Sequence, residues 1–478
     1  DIQRLPKRPG KLQQNINLFH EDNFASLPQL TLVWPTVEAY HPDEYALAVL
    51  VEYLSQGKQA PLHKELIEQQ EVTSDIAMIC RHSEIAGQLY LSIRAFDGTA
   101  LDDVADGVDE ALKQFEKDGI SQVDLDRIKA GQETQFYQSL SSVLGKSISL
   151  ARYNVLAGEP GYAEQAINNI LNVSVADVMR VYETYIKGKY RIATSFVPKG
   201  QLSLALRGSV QASIAEENIA SEAQDNFDLS EQVFYQPTPS SFDRSEEPPY
   251  GESYEVSTPP VWQYSGNNGL TYLGIKNEEV PLVEANLVIQ GGALLDGDNK
   301  PGLAHLTANM LSLGTTNRTA AEFEAEVEQL GASIETFAGS DRTQIEVRSL
   351  ARNYAKTMAL VEEMLLYPRW DKTEFKLLKQ RTINRLQQDA SDPGEIARRE
   401  FRKLLYPDDV RGNNPRGTEA SIAAITLEDV KNFYAKHYAP SVTTILVVGD
   451  IEQRDVLASH QNLEQHWAEK QVEMPTFT

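Results

Sequence analysis

Apolar residues recur along this chain at two spacings, and the switches between them mark out its elements. Gln88-Leu89-Tyr90-Leu91-Ser92-Ile93-Arg94-Ala95-Phe96 alternates, which is the period of a strand buried on one face. Asp43 to Leu54 carries its apolar residues at helical spacing and is closed by Gly57, which predicts a helix. Around these lie a strand from Leu30 to Trp34 ended by Pro35, a helix from Pro61 to about Gln69 and an apolar strand around Ile76 to Cys80. An amphipathic helix follows from about Asp102 to Lys117. Ser121 and Val123-Asp124 open a long helix through Tyr137, Ser174-Val175-Ala176-Asp177 opens another through Tyr185, and Arg191 to Val197 is a closing strand.

The same order then returns. Leu282 to Gln290 reads as a strand, Gly302 to Leu313 as a helix ended by Gly314, and Ala320 to Leu330 as a helix. Gln344 to Leu350 is an alternating strand and Tyr354 to Leu366 a helix. A long helix from Lys372 to Gln388, a helix started by Thr426-Leu427-Glu428-Asp429 and a strand from Thr444 to Val448 complete the series. An offset of roughly 250 residues, a domain-sized period, lays Asp124-Leu125 on Glu374-Phe375 and Val175-Ala176-Asp177-Val178 on Leu427-Glu428-Asp429-Val430. The pattern predicts an α+β protein of two homologous domains, each an antiparallel-rich mixed sheet packed with helices. Their expected bounds are 26–215 and 261–478, after a basic, polar leading linker over 1–25.

Composition changes the picture between the copies. Residues 216–260 hold eleven acids, among them Glu216, Asp228, Glu246 and Glu255, against the single base Arg244, with clustered prolines. Such a stretch buries too little apolar surface to fold alone and is expected to be an extended acidic linker, with Phe234, Tyr235, Tyr250 and Tyr254 as candidates to lay it along a domain. Over the whole 478 residues the formal net charge is -25, which argues against nucleic acid or an anionic membrane as partner. No run of about 18 apolar residues is present to span a membrane. With no initiator methionine or apolar leader at Asp1, a processed or truncated chain is expected. Cys80 is the one cysteine, and in Ile76-Ala77-Met78-Ile79-Cys80 it reads as a small buried hydrophobe. Low cysteine usage suits the cytosol and many periplasmic proteins alike, and the periplasm is favoured over the cytoplasm.

Candidate chemistry centres on Gly302-Leu303-Ala304-His305-Leu306-Thr307-Ala308-Asn309-Met310-Leu311, followed by Gly314-Thr315. This stretch resembles the active-site helix of the insulinase/pitrilysin family of zinc peptidases, which carries His-x-x-Glu-His with two metal-binding histidines and a glutamate that activates water. Here the first histidine is His305, the base position is Ala308 and the second ligand position is Asn309. Aligning Glu374 to Asn384 with the family's later helix puts Asn384 at the third ligand, a glutamate in the family. One imidazole and two amides cannot supply a zinc shell. His305 therefore reads as structural, with no catalytic, cofactor-binding or metal-binding residue in the chain.

The likeness extends through Gly291-Gly292-Ala293, Arg398-Arg399-Glu400-Phe401, Gly417-Thr418-Glu419-Ala420-Ser421-Ile422, Tyr438-Ala439-Pro440 and Val448-Gly449-Asp450, in the order of the family's first type of domain. Leu54-Ser55-Gln56-Gly57, Leu62-His63-Lys64-Glu65-Leu66 and Asp124-Leu125-Asp126-Arg127-Ile128-Lys129 make the first copy similar to its second, non-catalytic type. The resemblance implies an internal part of a large two-module member, itself inactive, that forms chamber wall and peptide-binding surface. Its implied partners are a zinc-bearing catalytic domain upstream in the same protein and a peptide or unfolded-protein substrate. The alternative it implies is an inactive scaffold or partner subunit, like those of processing peptidases and respiratory-complex cores.

Other features read more plainly. His20, His41, His63 and His82 stand singly on separate elements, and Gly291-Gly292 lacks the third glycine of a phosphate loop. Asn172-Val173-Ser174 and Asn317-Arg318-Thr319 match a glycosylation pattern short enough to arise by chance. Arg398, Arg399, Arg402 and Lys403, interleaved with Glu395 and Glu400, read as a solvated helix face with internal ion pairs.

Overall fold

Strand pairing explains the repeat. In the first copy β1 (Ile16–Asp22), β2 (Gln29–Thr36), β3 (Thr73–His82), β4 (Gly87–Ala95), β5 (Ile192–Pro198) and β6 (Val210–Gln211) form one sheet in the order β3-β4-β2-β5-β1-β6. In the second, β7 (Trp262–Ser265), β8 (Thr271–Lys276), β9 (Leu282–Gln290), β10 (Ser333–Ala338), β11 (Arg342–Leu350) and β12 (Thr443–Gly449) follow the order β10-β11-β9-β12-β8-β7. Each sheet runs from an antiparallel hairpin through two further antiparallel pairings to a parallel pair, β1 with β5 and β8 with β12. Five strands thus correspond one to one, as the duplication predicts. The sixth differs, since β6 lies parallel to β1 whereas β7 forms a hairpin with β8. This computed structural model describes residues 6–23, 25–57, 59–213, 243, 245–247, 249, 251, 257–297, 300–390, 392–407 and 409–476. The expected acidic linker over 216–260 lies outside the described residues, apart from those few positions and 257–260.

The helices correspond as well. The first copy has α1 (Asp43–Ser55), α2 (Pro61–His63), α3 (Leu101–Asp118), α4 (Gln122–Ser139), α5 (Val143–Arg152), α6 (Ala163–Leu171) and α7 (Val175–Tyr185). The second has α8 (Leu303–Leu311), α9 (Ala320–Gln329), α10 (Tyr354–Leu366), α11 (Lys372–Asp389), α12 (Pro393–Leu405), α13 (Glu419–Ala424), α14 (Leu427–His437), α15 (Gln453–Ser459) and α16 (Gln461–His466). Capping boxes start the equivalent helices α7 and α14, where Ser174 and Thr426 each exchange bonds with an aspartate three residues on; each box satisfies two backbone donors that a helix start leaves free. The buried faces of α1, α3 and α7 meet β2 and β4 in one core, and those of α8, α10 and α14 meet β9, β11 and β12 in a second.

The leading segment corrects the sequence reading, because residues 16–22 form β1 and belong to the first sheet. Their partner β5 lies far along the chain, with Ile16 opposite Ile192. A strand pinned by so distant a neighbour, and with no fully buried side chain to enforce alternation, carries little local signal. Strands β7, β8 and β10 also escaped the pattern reading.

Two helices, α4 and α5, join the copies. Along α4, Arg127 pairs with Glu328 at 2.7 Å and the Thr134 hydroxyl donates to the Gly331 carbonyl at 2.6 Å, while Glu133 receives Arg352. Lys146 on α5 pairs with Glu279.

Candidate functional site

Helix α8 carries the degenerate motif and is anchored from both ends. Gly302 takes φ +95° at its start, where a Cβ would meet Ile422 and the Arg416 carbonyl within 3 Å. The buried Asp296 accepts from the Gly302 and Ala304 amides at 2.7 and 2.6 Å, taking up donors that a helix start leaves unpaired. Burial pushes the Asp296 carboxyl up to about 7 in spite of these bonds. Leu306, Ala308, Met310 and Leu311 are wholly buried, and the Thr336 hydroxyl on β10 donates to the Ala308 carbonyl at 2.8 Å.

His305 and Asn309 lie half-buried on the cleft side of this helix, one turn apart. The Asn309 side-chain NH2 donates to the His305 carbonyl at 2.8 Å and lies 3.3 Å from His305 Nδ1, so the pair largely satisfies itself. Burial, and then the nearby Arg416 cation, lower the imidazole pKa to about 4, which leaves the ring neutral at pH 7. Ala308, where the resemblance puts a carboxylate, is a methyl group at 0% exposure. Among the described residues no group of three or more His, Cys, Asp or Glu side chains is placed to hold a metal, and the donor set of this pocket does not fit zinc.

Asn384 is not part of the pocket, contrary to the alignment that put it at the third ligand. It is exposed, and its side-chain oxygen accepts from Gln380 at 2.9 Å. The α11 residues that line the same cleft as His305 and Asn309 are Leu386 and Asp389. A helix turns about 100° per residue, so a two-residue misplacement carries a side chain to the other face.

Above the motif lies a cleft of about 820 Å³. His305 and Asn309 form one wall, Phe337 to Ser340 at the end of β10 another, and the loop from Asn413 to Gly417 a third. Helix α12 closes it with Arg398, Arg399, Arg402 and Lys403. The ion pairs read from the sequence are present: Arg398 with Glu395 at 3.0 Å, and Arg399 with Glu400 at 3.1 Å. That this face fronts a cleft was not legible from spacing. Strand β10 is an edge strand of the sheet, and its last two residues, Phe337 and Ala338, line the same space.

The remaining candidates are structural. His20 stacks on Phe196, His41 lies beside Asp43, His63 beside Glu68, and His82 Nδ1 meets the Val37 carbonyl at 2.8 Å. Gly291 and Gly292, both at positive φ, pack under the β10–β11 turn, where a Cβ on Gly292 would lie 2.6 Å from backbone atoms. Burial pushes the Cys80 thiol up to about 12, which removes its reactivity.

Comparison with known proteins gives matches to one peptidase family. Residues 273–407 match the family model described as insulinase (peptidase family M16), and residues 1–132 and 424–476 match that of the peptidase M16 inactive domain. An uncharacterized zinc protease of Rickettsia felis is 23% identical over 196 residues, 41% of this chain and 48% of the relative. A probable zinc protease, PqqL of Escherichia coli, is 29% identical over 203 residues, 40% of this chain and 22% of the relative. The match therefore spans less than half the length of either protein. The solved structure of the periplasmic protease PqqL from Escherichia coli aligns with 98% of this chain and 52% of its own at a TM-score of 0.40 and 15% identity.

Proposed function

Since this chain belongs to the insulinase family of peptidases, family M16, and its motif lacks the residues for zinc hydrolysis, we propose that it is the peptide-holding part of a zinc endopeptidase whose cleavage is carried out by a separate catalytic domain. The observation that carries the reading is the cleft over His305 and Asn309, lined on one side by the last residues of the edge strand β10. An exposed strand edge offers backbone donors and acceptors to an extended peptide, and a neighbouring cleft receives its side chains. The chamber wall is then the sheet and helices of the second copy, held on the first through α4. The catalytic partner, with its zinc, lies in the same protein in this reading.

A protein partner is supported by α12, whose outer side leaves Phe401, Leu404 and Leu405 exposed, Leu404 at 82%. No helix among the described residues is long and apolar enough to cross a membrane. The periplasm is the proposed compartment, by likeness to PqqL. The test is to incubate the 478-residue chain and zinc with unstructured peptides, following binding by fluorescence anisotropy and cleavage by mass spectrometry. Binding without cleavage is the expected result. Cleavage overturns the non-catalytic reading, and failure to bind overturns the peptide-holding one.

A further inference from the structure

The cleft is cationic in a strongly anionic protein. Five cations line it, Arg398, Arg399, Arg402, Lys403 and Arg416, against three carboxylates, Asp389, Glu395 and Glu419, while the whole chain carries a formal charge of -25. Each carboxylate is already engaged. Asp389 is shared by Arg385 at 3.1 Å and Arg416 at 2.9 Å, Glu395 pairs with Arg398, and Glu419 accepts from Gln387 at 2.9 Å. Glu400, outside the cleft lining, sits between Arg399 and Lys403 at 3.1 and 3.8 Å. Arg402 donates to the Asn413 carbonyl at 3.3 Å and, among the described residues, pairs with no carboxylate. Exposed ion pairs of this kind contribute little and exchange readily. A guanidinium facing a concave, partly desolvated space binds a carboxylate more firmly, through two parallel hydrogen bonds.

We propose that this cleft selects peptide segments bearing acidic side chains at alternate positions. The inference rests on the peptide-holding reading above and adds the charge and spacing of what is held. Arg398 and Arg402, and likewise Arg399 and Lys403, lie four residues apart on α12, a rise of about 6 Å along a helix. In an extended peptide, side chains two residues apart point the same way at about 6.8 Å. A Glu-x-Glu segment running along α12 therefore presents successive carboxylates at the spacing of successive cations. The net negative charge of the rest of the molecule repels long polyanions, so the selectivity is for short acidic segments seated within the cleft.

Three labelled peptides of about ten residues, long enough to reach roughly 33 Å when extended, test the proposal. They are identical except for Glu, Gln or Lys at alternate positions, and their C-termini are amidated so that only side chains supply carboxylates. Anisotropy titration of the full chain is expected to rank them Glu, Gln, Lys, with Glu roughly tenfold tighter than Gln at low salt. The double variant Arg398→Glu, Arg402→Glu should abolish the preference and keep binding of the Gln peptide. The charge-matched control Lys113→Glu, Lys117→Glu on α3 should retain it, with circular dichroism checking the fold of both. Equal binding of the Glu and Gln peptides overturns the charge selectivity while leaving the peptide-holding reading standing. No binding by any of the three overturns both.

Discussion

Arg352 of the second copy reaches across to Glu133 of the first, its two terminal nitrogens donating to the two carboxylate oxygens at 2.7 and 2.5 Å. Glu133 is only 5% exposed, so this is a bidentate pair with one buried member. Removing the arginine leaves a buried carboxylate unpaired, the costlier way to break such a pair. Arg352→Ala is expected to destabilise the chain by about 2 kcal/mol, with Glu133→Ala costing less once Arg352 is already gone. Urea denaturation in a double-mutant cycle measures the coupling, and additive effects would show that the pair does not tie the copies together.

At Gly331 the backbones of the two copies approach closely. It takes φ +60°, and a Cβ there would lie 2.4 Å from the Ala130 carbonyl of α4. Gly57, at φ +79°, has open space where its Cβ would be. Gly57→Ala should therefore cost only the backbone strain, roughly 1 kcal/mol. Gly331→Ala should cost more, because α4 must also move away. Thermal unfolding of the two variants side by side checks the order.

Asp296 gives a pH dependence of defined sign. Burial raises its folded pKa to about 7 from 3.8, so between these values the folded state holds a proton that the unfolded state has lost. Its contribution is therefore fully present below about pH 4 and is lost as pH rises to 7, at up to about 1.4 kcal/mol per unit. Asp296→Asn cannot ionise. The stability of this variant relative to the parent should improve between pH 4 and 7 and level off above, and a flat difference across that range would refute the assignment.

Zinc affinity should follow the cleft geometry. The unaltered chain is expected to show no tight zinc site by titration calorimetry. Asn309→His with Leu386→Glu joins two new ligands to His305, which is neutral at pH 7, and should bind zinc at roughly micromolar Kd or tighter. Replacing Leu386→Glu by Asn384→Glu should lose that gain, because Asn384 lies on the outer face of α11. Equal affinity of the two designs would restore the original alignment.

Much of the scaffold was legible in the residues themselves. The serine and threonine caps at 174 and 426, the alternation over 88–96 and 344–350, and the glycines that stop helices act within one turn or a few neighbours, so they are readable wherever they occur. Their recurrence at a common offset exposed the duplication before any pairing was known. Ala308 and Asn309 in a recognisable motif likewise carried, from residue type alone, the expectation that no zinc is held there.

Tertiary structure decided the rest. β1 and β8 are strands because β5 and β12 lie alongside them, partners more than 160 residues away, and no local pattern reports that. Leu386, and not Asn384, lines the cleft with His305 because α11 packs on α8 at one rotation. The same four cations on α12 that read as a solvated face became a cleft wall once the segments around residues 305, 337, 389 and 416 were folded against them. Local chemistry is written in contiguous residues, whereas a concave site is assembled from segments that only chain closure brings together.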